Sequence, residues 1–161
     1  MSSNKLLATY LNDHLAGANA GSELAQKISS ENSGTSLGAF LAELASDIEQ
    51  DRTTLEGVME RLGIEKDPVK TAAGWIFEKF SRLKLSDALT GSNDLKHLLE
   101  FETLSLGIEG KRIMWAALRQ VSDQHAELSG TDLDGLVKRA EGQRAALEEH
   151  RLQAATAALA D

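Results

Sequence analysis

The chain has 161 residues, of which 42% are apolar and 26% charged, a balance that is ordinary for one globular domain with its own core. It has no cysteine, which excludes disulfide bonds, thiolate metal sites and a thiol nucleophile. Its net charge of −8 disfavours nucleic acid and anionic membrane surfaces as partners. With a single proline among many helix-forming residues, the chain is predicted to be one all-α domain spanning residues 1–161.

Two long helices joined by a short polar turn are predicted at the start of the chain. The first helix runs from about Ser3 to Ser29, and residues 30–36 form the turn. Ser36 is the expected N-cap of the second helix, which ends at Gly63. Apolar residues in the first helix recur at the alternating spacing of four and three that is typical of bundle packing, as at Leu7, Leu11, Ala18, Ala25 and Ile28.

A long connection, residues 64–93, follows the second helix. The pair Asp67-Pro68 is a helix-start signal and predicts a shorter helix within this crossover. Its aromatic side chains are Trp75, Phe77 and Phe80. Two interpretations stay open: a lid over one side or end of the bundle, or an exposed patch that binds another helix or forms a homodimer.

A second pair of long helices is predicted after the crossover. The third helix runs from about Asp94 to Ala126, and the fourth runs to about Leu159. Thr131 or Asp132 is the expected N-cap of the fourth helix. The order of short turn, long crossover and short turn predicts an up-down-down-up four-helix bundle.

Short phrases on all four long helices carry a resemblance to a known family. Leu11-Asn12 begins one short sequence motif, Gly63 ends a second, and Leu147-Glu148 belongs to a third. The remaining motif runs from Leu104 to Gly110. In pattern and spacing the chain resembles the ferritin-like superfamily, and the bacterioferritins most closely. The resemblance covers the long helices but not the crossover, and it implies a bacterial protein.

The positions that hold two metal ions in that family are largely replaced in this chain. In the family, two helices each contribute a Glu, and the other two each contribute a Glu-x-x-His pair. The matching positions here are Ala18, Asp47, Gln50, Gly107, Ala140 and Gln143. Only Asp47 keeps a carboxylate, and glutamine replaces both histidines. Because two dications need several carboxylates and imidazoles, the resemblance implies a vestigial site with no cofactor.

Two alternatives to a vestigial site stay open. A displaced site for iron or manganese has four principal candidate ligands, His14, Asp47, Glu102 and Glu109, with Asp13 and Asp51 as further acids nearby. Small residues on the first and third helices form the other feature, Ala18 with Gly21 and Gly107 with Gly110. We expect them to allow close packing of the two helices; the alternative is a cavity that carries a small apolar ligand.

The expected function is therefore non-enzymatic. We expect a structural, regulatory or stress-associated interaction protein of the cytoplasm, with Asp47, Gln50 and Gln143 bonded to one another or to water. The N-terminal sequence lacks the basic start and apolar run of a signal peptide, and no membrane span is predicted. The runner-up is a metal-dependent oxidoreductase or iron-handling protein. The third candidate is a small-ligand carrier.

Overall fold

Four long helices and no strand are present in residues 2–68 and 93–160, the part of the chain that the computed structural model describes. The prediction of an all-α four-helix bundle is confirmed at this level. The helix predicted in the crossover, with Trp75, Phe77 and Phe80, lies outside the described residues. The long helices are α1 (Ser2–Glu31), α2 (Ser36–Arg61), α3 (Asn93–Gln120) and α4 (Leu133–Leu159).

The turn between α1 and α2 ends in a helix cap. Thr35 is the N-cap, and its hydroxyl accepts a hydrogen bond of 2.9 Å from the backbone N–H of Gly38. The prediction of Ser36 is wrong by one residue, because Thr35 has the extended backbone that a cap requires. Only glycine fits at position 38, since a Cβ there would overlap the backbone carbonyl oxygen of Asn32.

The C-terminal end of α2 is a glycine turn close to the predicted place. The helix ends at Arg61, and Gly63 has a φ of +67°, a left-handed conformation that favours glycine. The chain then returns to α1. The Asn12 side chain donates to the carbonyl oxygen of Glu65 at 3.1 Å and accepts from the N–H of Asp67 at 2.8 Å. The start of the crossover is thereby fixed against the first helix.

The second hairpin differs from the sequence prediction at one end of α3. That helix ends at Gln120 and not at Ala126, and two 3₁₀ turns follow, Ser122–Gln124 and Ala126–Leu128. The hydroxyl of Ser122 donates to the carbonyl oxygen of Arg119 at 2.8 Å, which satisfies a group at the helix end. Asp132 caps α4, as predicted, by accepting from Gly135 N–H at 3.0 Å.

Two apolar clusters fill the bundle, and each takes residues from all four helices. The first combines the C-terminal half of α1, the N-terminal halves of α2 and α3, and the middle and C-terminal part of α4. Its residues include Leu24, Ile28, Leu41, Leu44, Leu98, Phe101, Leu104, Leu147 and Ala154. The second lies toward the other ends of these helices: Leu11, Leu15, Leu55, Val58, Met114, Trp115, Leu118, Leu133 and Val137. Helix α1 packs against α2 and α3, and α3 packs against α4.

None of the helices in the described part of the chain has a stretch that is both long and apolar enough to cross a membrane.

Candidate functional site

Three polar side chains, buried Asp51 and Gln143 and partly buried Lys111, join three helices inside the bundle. Lys111 on α3 donates from Nζ to Asp51 Oδ2 on α2 and to Gln143 Oε1 on α4, both at 2.6 Å. Gln143 Nε2 also donates to Asp51 Oδ2 at 2.9 Å. Asp51 is 3% exposed. We call Asp51, Lys111 and Gln143 the central triad, and its hydrogen bonds close into a ring.

Arg139 on α4 links the central triad to the bundle surface. Its Nε lies 2.9 Å from Asp51 Oδ1, an ion pair without the geometry of a hydrogen bond. Its Nη2 lies 3.2 Å from Asp47 Oδ1 and donates to Gln50 Oε1 at 3.1 Å. Two cationic groups, Lys111 and Arg139, therefore face the buried carboxylate of Asp51. Asp47 and Gln50 contact Arg139 at the outer edge of the bundle, which we call the rim.

The ammonium of Lys111 lies largely buried beside the carboxylate of Asp51. Burial lowers the pKa of its ammonium below the usual 10.5, and the attraction of Asp51 only partly opposes this. A buried carboxylate is unfavourable unless it is paired and hydrogen-bonded. Lys111 supplies that pairing from within the chain, so Asp51 has no surplus negative charge with which to attract a dication.

The six positions predicted from the family resemblance do not come together as one site. The expected network of Asp47, Gln50 and Gln143 does not form, because Gln143 bonds Lys111 and Asp51 instead. Ala140 is fully buried in the core. Asp47 and Gln50 lie at the rim against Arg139. The inward carboxylate of α2 is therefore Asp51, one helical turn beyond the predicted Asp47. The other two positions, Ala18 and Gly107, line a cavity.

The candidate ligands for a displaced metal site are distributed among separate contacts. Glu109 binds Arg112 at 2.7 Å and Arg144 at 2.6 Å, and Glu102 lies 3.7 Å from Arg151. His14 lies against the Tyr10 ring, with the ring centroids 4.7 Å apart. Within the described ranges, no group of three or more His, Asp or Glu side chains is placed to hold a metal ion.

A cavity of about 170 Å³ lies beside the central triad, between α1, α2 and α3. Its lining is mostly apolar, and Lys111 and Asp51 form part of its wall. The other lining residues are Asp13, His14, Gly17, Ala18, Gly21, Ile48, Arg52, Leu55, Leu104, Gly107, Ile108, Gly110, Met114 and Trp115. We call this space the helix cavity. It contains the void that the third sequence hypothesis placed beside Ala18 and Gly107.

Three glycines of the helix cavity do not serve close packing. A Cβ built at Gly21, Gly107 or Gly110 would meet no atom within 4 Å among its described neighbours. The expectation that these glycines allow close helix contact is therefore wrong, because they border open space. Glycine inside a helix costs about 1 kcal/mol relative to alanine. The three residues keep the cavity open at the expense of helix stability.

Two polar rings in the wall of the helix cavity have distinct properties. Burial lowers the pKa of His14 below 6.5, although Asp13 opposes the shift, so the imidazole is neutral at pH 7. Trp115 is fully buried, and its indole N–H has no hydrogen-bond partner in the described part of the protein. An unsatisfied buried donor is unusual in folded proteins and calls for an explanation.

Sequence reasoning missed Lys111 and underrated Asp51, although a signal for both was present. Asp51 follows Ile48 by three residues and precedes Leu55 by four, so it occupies a core position of the apolar repeat on α2. Lys111 has the same spacing on α3, three residues after Ile108 and four before Trp115. Two opposite charges at core positions of two helices predict a buried pair.

No protein-family model, no curated protein and no solved structure matches this chain.

Proposed function

We propose that the protein is a ferritin-like bundle with up-down-down-up connectivity. The composition of the two apolar clusters supports this order. The cluster that contains the end of α1 also contains the starts of α2 and α3 and the end of α4. The other cluster contains the opposite ends of the same helices. Helices α2 and α3 then run in one direction and α1 and α4 in the other, which requires a long crossover between α2 and α3.

Within this fold, the proposed function is non-enzymatic: a cytoplasmic binding protein with a structural, regulatory or stress-associated role. The central triad is the observation that carries this proposal. A dimetal centre needs several carboxylates around the bundle axis, whereas the central triad, among the described residues, contains a single carboxylate, Asp51, and binds it to an ammonium group. A metal ion would have to displace Lys111 Nζ from two hydrogen bonds of 2.6 Å.

A small-ligand carrier is the second candidate, and the helix cavity favours it. Pockets for small molecules are concave, mostly apolar and supplied with a few polar groups. The helix cavity has these properties, with Lys111 and Asp51 among its polar groups. Both candidates are non-enzymatic, and they differ in whether the bundle interior or the bundle surface contacts the partner.

The test of the non-enzymatic proposal is oxygen consumption with ferrous iron in excess. We expect the wild-type rate to equal that of buffer with iron alone, and Lys111→Met to behave in the same way, since Asp51 alone cannot hold two iron ions. Catalysed oxygen uptake by the wild-type protein that is lost in Asp51→Asn would overturn the proposal. The rim variant Gln50→Ala is the matched control, since this side chain contacts Arg139 and lies outside the central triad.

A further inference from the structure

The size and lining of the helix cavity define the chemistry of a molecule that would fit it. We propose that the helix cavity binds an uncharged molecule of one aromatic ring that carries a single hydrogen-bonding polar substituent, the chemistry of a phenol. This inference rests on the non-enzymatic function proposed above, since it requires Lys111 to remain bound to Asp51 as part of the cavity wall.

The volume of the helix cavity sets the size of the ligand. A buried apolar cavity of about 150 Å³ is known to accept benzene. The helix cavity, at about 170 Å³, has room for one ring and a small substituent. The open space in front of Gly21, Gly107 and Gly110 belongs to this volume, and alanine at any of these positions would reduce it.

The wall of the helix cavity selects an uncharged, aromatic ligand. Its acidic residues, Asp13 and Asp51, are balanced by two basic residues, Arg52 and Lys111. An anion would enter beside the buried carboxylate of Asp51 and a cation beside the ammonium of Lys111, so both are disfavoured. The apolar part of the wall includes Trp115 and Met114, with Ile48, Leu55, Leu104 and Ile108, and indole rings and thioethers both contact aromatic rings favourably.

One donor in the wall explains why the ligand needs a polar substituent. The Lys111 ammonium has three hydrogens, and the described residues accept two of them, at Asp51 and Gln143. Lys111 lines the helix cavity and its side chain is 14% exposed. A hydroxyl oxygen on the ligand can accept the third hydrogen, whereas a purely hydrocarbon ligand leaves this donor without an acceptor among the described residues.

The test is a titration of the full chain with phenol, followed by the ¹H–¹⁵N signal of the Trp115 indole. The Trp75→Phe variant assigns this signal, because the chain has two tryptophans. We expect saturable shifts with a Kd on the order of 1 mM or tighter. Benzoate is expected to bind at least about tenfold more weakly than phenol, since it adds an anion beside Asp51.

Cavity filling distinguishes the helix cavity from a surface site. Gly107→Leu places a side chain in the open space and is expected to weaken phenol binding at least about tenfold. Gly142→Leu is the matched control: Gly142 is an exposed glycine of α4 that does not line the helix cavity, so binding should be unchanged. If Gly107→Leu fails to fold by circular dichroism, Gly107→Ala replaces it, with a smaller loss of affinity expected.

Three results would overturn this inference. They are an unshifted Trp115 signal at saturating phenol, equal effects of the substitutions at Gly107 and Gly142, and tighter binding of benzoate than of phenol. A parallel titration with manganese keeps the two proposals apart. If the protein binds neither phenol nor manganese, only the proposed ligand is overturned. If the protein binds stoichiometric manganese and Lys111 is displaced, the non-enzymatic function on which the ligand rests is overturned.

Discussion

Replacement of Lys111 by methionine gives the sharpest test of the central triad. The change keeps the length of the side chain and removes the ammonium that binds Asp51 at 2.6 Å. Loss of one partner from a buried ion pair costs roughly 3–5 kcal/mol, because the other charge remains buried. Arg139 Nε still lies 2.9 Å from Asp51, and this cation is one-third exposed and only partly compensates. We therefore expect Lys111→Met to lower the free energy of unfolding by about 3 kcal/mol.

Urea denaturation at pH 7, followed by circular dichroism at 222 nm, measures this loss. With a slope of about 2 kcal/mol per molar urea, the midpoint should fall by roughly 1.5 M. Lys27→Met is the matched control, because Lys27 pairs with Glu31 at 3.7 Å on the exposed surface of α1. Its effect should stay within about 0.5 kcal/mol.

A double-mutant cycle with Asp51→Asn separates the ion pair from the packing of the lysine chain. Each single change leaves one buried charge behind, whereas the double variant removes both members of the pair. We expect the double variant to be more stable than the sum of the single losses predicts, by about 2 kcal/mol. Additive losses, or a Lys111→Met variant as stable as Lys27→Met, would refute the reasoning.

Four further predictions follow from other contacts. Gly107→Ala should raise the free energy of unfolding by about 0.5–1 kcal/mol, as should the control Gly142→Ala, because neither Cβ meets an atom of the described residues. Thermal melting would measure both, and a loss of stability at position 107 alone would contradict the open space. Gly38→Ala should destabilise the protein by about 2 kcal/mol in the same assay, because its Cβ overlaps a backbone carbonyl oxygen. Hydrogen bonds from Arg52 and Ser22 lower the pKa of Glu49 to about 2. The charged carboxylate therefore stabilises the folded state above pH 4.5, and this stabilisation is lost as the pH falls toward 2. In urea denaturation, Glu49→Gln should cost about 1 kcal/mol at pH 7, after allowance for solvent screening, and little at pH 2. Burial lowers the pKa of His14, so wild-type stability should fall relative to His14→Gln as the pH drops below 6.5, and parallel pH profiles would contradict this.

The positions of most helix ends could be predicted from the sequence because they depend on local signals. The polar turn after α1, the glycine at position 63 and the Asp132 cap each act over a few residues, and the structure has each helix end within a residue or two of them. The end of α3 was misplaced because the side chain of Ser122 binds a carbonyl oxygen there and the following residues form 3₁₀ turns. Helix-favouring composition alone does not reveal such a stop.

The candidate site was less predictable because it depends on which charged residues turn inward. Asp47 and Asp51 are four residues apart on one helix, and both are compatible with the apolar pattern of α2. Their difference in burial comes from partners on other helices: Lys111 on α3 holds Asp51 inside, whereas Arg139 on α4 holds Asp47 at the rim. The open space beside Gly107 likewise depends on the separation of α1 and α3, which no local pattern encodes.

The metal content of the purified protein tests the central claim most directly. The protein is prepared without a metal-affinity tag, and iron and manganese are measured by elemental analysis before and after incubation with each ion. The account predicts less than about 0.1 equivalent in both samples, because Lys111 already neutralises Asp51, the carboxylate of the central triad. One or two equivalents of bound metal, lost when Asp51 or His14 is replaced by alanine, would contradict the account and indicate a redox metalloprotein.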